Sequence, residues 1–311
     1  MRKALLFSCA VLALFACTKP QPEPEPEPEP VPEEEPAEPI TINVASFNIR
    51  LATTADTDYK SWASRKENCA AVIKNHDFDV VGFQEVLAVQ QTDLKNLLPD
   101  YSFYFVGRDT GISGEAVGVA WKKADYELME WDRFWLSATP DKPSSSLSWG
   151  GMSRNRVASW VLLRHKASGK EFYFLATHLE VDNNGTSYAD IRAKSAELIV
   201  ERMNGENSRK LPLFIVGDMN PASDDEEALG IFRAAFSDSF REAESKGVRQ
   251  GPKGTYQAFD PNRNLDKASS HPFDFIFHNE AVELLGFSAL TDKFGGYYPS
   301  DHLPVTAKVS F

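Results

Sequence analysis

Residues 213–220 read Leu-Phe-Ile-Val-Gly-Asp-Met-Asn, four apolar residues suited to a strand that stop at a glycine and give way to two polar side chains. The pattern recurs. Thr-Ile-Asn-Val-Ala-Ser-Phe (41–47) ends in Asn48 and Arg50, Phe-Asp-Val-Val-Gly-Phe (78–83) ends in Gln84 and Glu85, and Phe-Tyr-Phe-Leu-Ala-Thr (172–177) ends in His178. Asp274 is embedded in apolar Phe-Asp-Phe-Ile-Phe (273–277), and Ser300, Asp301 and His302 open the last strand. Polar groups at the ends of neighbouring strands converge on one rim of a sheet, where rigid elements can preorganise a site.

Working outward, β-rich runs are expected at 41–47, 78–83, 101–106, 116–121, 132–136, 157–163, 172–176, 211–216, 273–277, 282–290 and 305–311. Helical periodicity occupies 61–74, 89–98, 188–203 and 224–236. Many strands with few helices predict an α+β layered sandwich of two packed sheets covered by helices. No linker or repeat interrupts 41–311, which reads as one domain long enough for a large core. Trp62, Trp121, Trp131, Trp135 and Trp160 fall within strand or helix patterns and read as core, as does Cys69.

The chain has 311 residues, 42% hydrophobic and 25% charged, a composition that excludes collagen, wholesale disorder and a multi-span membrane protein. Its net charge of -12 is unevenly placed. Residues 1–16 pair basic Arg2 and Lys3 with an apolar run, as a secretory signal does. Leu14-Phe15-Ala16-Cys17 resembles a bacterial lipobox, which implies lipidation of Cys17 and an exported, membrane-anchored lipoprotein on the periplasmic or cell-surface side. Residues 17–40 form a Pro/Glu-rich tether that cannot bury a core; extended at ~3.1 Å per residue, it reaches ~70 Å from a membrane. With the eight Glu and three bases of the first forty residues set aside, 37 acids and 30 bases remain, so the domain itself carries only -7.

The strand-end groups supply hard oxygen ligands, Glu85, Asp218 and Asp301 with the amides of Asn48 and Asn220, beside the imidazoles His178 and His302. The sequence has no Cys/His zinc pattern, no Gly-X-Ser-X-Gly elbow and no phosphate-binding glycine loop. Oxygen donors with few nitrogens suit Mg²⁺, Mn²⁺ or Ca²⁺, and a hard cation beside histidines suits hydrolysis of a phosphate ester.

Ser-Phe-Asn-Ile-Arg, Gly-Phe-Gln-Glu, Thr-His-Leu, Gly-Asp-Met-Asn, Phe-Asp-Phe-Ile and Ser-Asp-His-Leu-Pro-Val, in that order over about 42–311, resemble the endonuclease/exonuclease/phosphatase superfamily with its deoxyribonuclease I-like fold. Phe-Trp-Leu-Ser-Ala-Thr-Pro (134–140) and Tyr-Pro-Ser-Asp-His are similar to its bacterial metal-dependent hydrolase branch. The resemblance implies a four-layer α/β sandwich, two packed mixed sheets flanked by helices, and a divalent-metal phosphoesterase. It implies metal ligation by Glu85, Asn48 and Asp301, water activation at Asp218, a phosphate oxygen on Asn220, and donors at His178 and at His302 oriented by Asp274. Whether Asp218 or a histidine is the base stays open. Arg156, with Arg154 as the alternative, matches an arginine typical of the branch and is a candidate clamp for phosphate.

No basic run longer than two residues marks a nucleic-acid footprint, so extended nucleic acid is disfavoured against a small phosphoester such as a sugar phosphate, inositol phosphate, glycan or lipid headgroup. An extracytoplasmic nuclease and a non-catalytic binding lipoprotein are the rival readings. Trp149, in the polar loop 144–153, and Tyr298 are candidates to stack on a substrate ring. The enzyme is expected to act as a monomer.

Overall fold

The computed structural model describes residues 38–144, 149 and 154–311; the expected signal, Cys17 and nearly all of the tether lie outside them. Residues 38–311 pack as one unit. Its strands are β1 (Thr41–Asn48), β2 (Val80–Val86), β3 (Tyr101–Gly107), β4 (Ala116–Lys122), β5 (Tyr126–Trp135), β6 (Val157–His165), β7 (Glu171–His178), β8 (Leu213–Asp218), β9 (Ser237–Asp238), β10 (Arg249–Gln250), β11 (Asp274–His278), β12 (Glu283–Ala289) and β13 (Val305–Ser310). The helices are α1 (Trp62–Asn75), α2 (Ala88–Leu97), α3 (Ala189–Glu206), α4 (Glu227–Ala235) and α5 (Ser239–Lys246). One sheet runs β10-β12-β13-β1-β2-β4-β3 and the other β5-β6-β7-β8-β11-β9. Each is mixed, with β1 parallel to β2 in the first and β7 parallel to β8 in the second.

Side-chain alternation along the strands builds the layers. On β8, Phe214 and Val216 enter the core between the sheets, where they join Val44, Val80, Phe174 and Ile276. Leu213 and Ile215 point the other way and pack under Ile199 and Met203 of α3 and Phe232 of α4. On β1, Val44 faces the second sheet while Ala45 and Phe47 meet Cys69, Val72 and Ile73 of α1 and Leu94 of α2. The result is helices, sheet, sheet, helices, the expected four-layer α+β sandwich. Gly82 marks a close approach of the two sheets: a Cβ there would lie 2.2 Å from Val216 Cγ2.

The structure departs from the sequence reading at one tryptophan. Trp131 is 55% exposed, whereas the other four assigned to the core are buried. It lies on β5, an edge strand hydrogen-bonded to β6 alone, in register with inward-facing Val161 but beyond the cover of the opposite sheet. The same strand begins six residues before the expected position, because a bulge between Leu128 and Glu130 lets the pairing with β6 continue.

Candidate active site

The parallel pairs β1–β2 and β7–β8 deliver their C-terminal ends to one cavity of about 290 Å³, lined by Arg50, Glu85, His178, Asp218, Asp301 and His302 among others. Register sets the first row of groups. His178 on β7 lies opposite Asp218 on β8, which lies opposite Asp274 on β11. Cross-strand partners project from the same face, so the three side chains stand in line at the sheet edge.

Asp218 is the hub. Its Oδ2 accepts the Asn48 amide at 3.0 Å and lies 3.6 Å from Nε2 of both His178 and His302. The backbone N–H of Asn220 donates to Oδ1 at 3.0 Å. Behind the hub, His302 Nδ1 meets Asp274 Oδ2 at 2.9 Å, and the Thr255 hydroxyl donates to the same oxygen at 2.6 Å while accepting the N–H of Phe273 and Asp274. The imidazole is thereby fixed with Nε2 turned toward Asp218. Asp218, Asp274 and His302 each bring a potential ligand atom within 4.8 Å of the others.

The two histidines of the cavity are electrically opposite. Burial works against charging both, but at His302 the carboxylates Asp274 and Asp218 outweigh it and hold the pKa well above 6.5. At His178 burial is reinforced by Arg156, His302 and Arg108, so its pKa lies well below 6.5. One cationic donor and one neutral imidazole therefore flank the same carboxylate at neutral pH. Burial pushes Asp218 up to about 7, against the pull of His302.

The other wall holds Glu85 and Asp301, with Asn48 behind Glu85. The β2–β4 register shifts between Phe83 and Val86, and Glu85 takes φ +64° in that irregularity. Arg50 and Asn220 also lie in the left-handed region, at φ +57° and +47°. Non-glycine residues seldom adopt this conformation, and three of them border the one cavity. Asn48 spans the wall by donating to Glu85 at 3.1 Å as well as to Asp218. Buried Asp301 is pushed up by desolvation and by the charge of Glu85.

A model of the endonuclease/exonuclease/phosphatase family matches residues 40–302. The chain belongs to that family. Among solved members, a family protein from Bacteroides thetaiotaomicron is 30% identical, with TM-score 0.79 over 89% of this chain and 97% of its own. A mannosyl-6-phosphatase of the same organism is also 30% identical, with TM-score 0.77 over 87% and 100%. TDP2 from D. rerio, solved with a single-strand DNA product, shares the fold at 19% identity and TM-score 0.67 over 86% and 98%. A search of curated proteins finds no match. The family's name spans nucleases and phosphatases, all hydrolases of phosphate esters.

Within this member of the endonuclease/exonuclease/phosphatase family, the structure gathers His178, Asp218, Asn220, His302, Glu85, Asp301 and Arg156 at the cavity wall, with Asp274 and Asn48 directly behind. Asn220 also donates its side-chain amide to Leu179 O at 3.1 Å. Arg156 is 3% exposed and lies 3.3 Å from buried Glu180, and Arg154 stands 3.9 Å from the same oxygen. Trp149 and Tyr298 are not brought in: Trp149 packs on Tyr188 and Ile191, and Tyr298 lies under Lys293 at 4.8 Å. Most of the loop 144–153 falls outside the described residues. The sequence reading missed Glu115, which pairs with Arg108 at 2.7 Å, and Tyr256, whose ring centroid is 4.9 Å from that of His302. Arg50, two residues past Asn48 in the same motif, was within reach of it.

Proposed function

We propose that this protein is a divalent-metal-dependent phosphoesterase acting on a small, non-nucleic-acid phosphoester, a phosphorylated sugar foremost. The observation that carries the reading is a single cavity in which a carboxylate-backed cationic histidine, a neutral histidine and a buried aspartate face arginines and a carboxylate pair. At about 290 Å³ it suits a monosaccharide phosphate rather than an extended polymer. The similarity to a protein named as a mannosyl-6-phosphatase supports the same class.

Glu85 and Asp301, with Asn48 beside them, fit a hard cation: the donors are oxygens, and the charge of Glu85 on Asp301 is what a bound dication relieves. Mg²⁺, Mn²⁺ or Ca²⁺ there would supply charge neutralisation on the phosphoryl oxygens and acidify water. Arg156 and Arg154 draw the phosphate in and fix its oxygens. Asp218 orients the attacking water and takes its proton, while His302, kept cationic by Asp274, donates a proton to the leaving alkoxide. Neutral His178 hydrogen-bonds the phosphoryl group without adding charge.

The test is turnover of sugar phosphates, generic mono- and diesters, and plasmid DNA with each metal and with EDTA. Activity on small esters that EDTA abolishes is expected, and Asp274→Asn should lower kcat by about 10²–10⁴-fold. Activity that survives EDTA, or DNA degradation without small-ester turnover, would overturn the reading. The proposal extends to location: a monomeric lipoprotein exported and held to a membrane through Cys17.

A further inference from the structure

Arg65 of α1 is 1% exposed and does not line the active-site cavity, yet all five of its N–H donors are spent on backbone carbonyls. Nε donates to Lys60 O at 2.7 Å. Nη1 donates to Ile49 O and, at 3.3 Å, to Pro299 O; Nη2 donates to Arg50 O at 2.8 Å and Leu51 O at 3.4 Å. Trp62 and Phe259 lie against the guanidinium, with ring centroids 5.2 and 5.5 Å away. Among the described residues no carboxylate comes within ion-pair distance of it.

A buried cation without a counter-ion is costly, and apolar packing would stabilise α1 more cheaply. Its partners explain its presence. Residues 49–51 leave β1 directly after Asn48, with Arg50 in the left-handed region. Arg65 takes the three carbonyls of this turn. The following amides face the opposite way: Arg50 N–H donates to Asn48 Oδ1, Leu51 N–H to Glu85 Oε2 and Ala52 N–H to Gln90 Oε1, each at 3.0 Å. Of the other two carbonyls, Lys60 lies just before α1, and Pro299 immediately precedes Ser300, Asp301 and His302. The Ser300 hydroxyl donates to Asn48 O at 2.7 Å and ties the two segments again.

We propose that Arg65 is a positioning residue that clamps the turn after β1 to the segment before β13, and so sets Asn48 and Glu85 against Asp301. The inference rests on the phosphoesterase reading for its kinetic consequence and on geometry alone for its structural one. A planar fork reaches several carbonyls at once, which the point charge of lysine does not, so Arg65→Lys is the informative change.

Three readouts on the full chain test it. In metal-free protein, amide exchange at Arg50, Leu51 and Ala52 should quicken at least about tenfold in Arg65→Lys, since those N–H groups lose their fixed aim. Mn²⁺ affinity should weaken by about 10–100-fold, and kcat should fall by about 10²-fold with KM within about threefold. Arg65→Gln, which buries no charge, should move the same way and serves if the lysine variant does not fold. A lower Tm with exchange, Mn²⁺ affinity and kcat unchanged well below it would overturn the proposal. If the wild type neither binds Mn²⁺ nor hydrolyses phosphoesters, the phosphoesterase reading fails, while the exchange experiment still decides the role of Arg65.

Discussion

At the scale of single residues, the candidate site gives two histidines opposite charge states around one aspartate. His178 carries a consequence for stability. In the unfolded chain it titrates near 6.5, whereas in the folded protein burial and the arginines keep it neutral well below that. Below about pH 6.5 the unfolded state therefore gains a proton that the folded state refuses. The contribution of His178 is fully present above that pH and is lost on acidification at about 1.4 kcal/mol per pH unit. The raised pKa values of His302 and Asp218 act in the opposite sense, because there the folded state binds the extra proton. Denaturant titrations from pH 5 to 7.5 in metal-free protein should show His178→Asn losing less stability than the wild type as pH falls. Parallel curves would contradict the assignment.

The element scale explains what was legible in the sequence. Asn48, Glu85, His178 and Asp218 announce themselves because each is a polar residue that breaks off a short, near-continuous apolar run of strand length. Arg50 shares that signal. Glu115 and Tyr256 do not: Glu115 precedes a strand rather than ending one, and Tyr256 sits in the irregular segment between β10 and β11. Helix α5 was equally hidden. It spans only eight residues, is mostly polar, and owes its start to Asp238, whose side chain accepts the N–H of Phe240 and Arg241. Trp131 shows the converse error, since a strand-like pattern cannot reveal that the strand lies at an edge. Sheet spacing is the element-scale property most open to test. Gly82→Ala places a methyl against Val216, two residues before Asp218, and should cost about 1–3 kcal/mol in urea unfolding. A loss within about 0.5 kcal/mol of zero would mean that the sheets part there without strain.

For the whole molecule, the proposed division is between a catalytic unit and an acidic leash that carries it. Replacing Cys17 by Ser should move the protein from the membrane to the soluble fraction without changing kcat on a soluble phosphoester. Retention on membranes would point to another anchor. In the proposed processed form, without residues 1–16, that exchange leaves Cys69 as the one thiol. Cys69 is fully buried on α1, its Sγ lies 3.3 Å from Pro299 O, and burial raises its pKa to about 11. Such a thiol is silent while the protein is intact. It shares the Pro299 carbonyl with Arg65, so a reagent reaches it only when α1 and the segment before β13 come apart. The rate at which Cys69 is labelled then becomes a clock for opening behind the catalytic wall, built into the chain and readable with no substrate in hand.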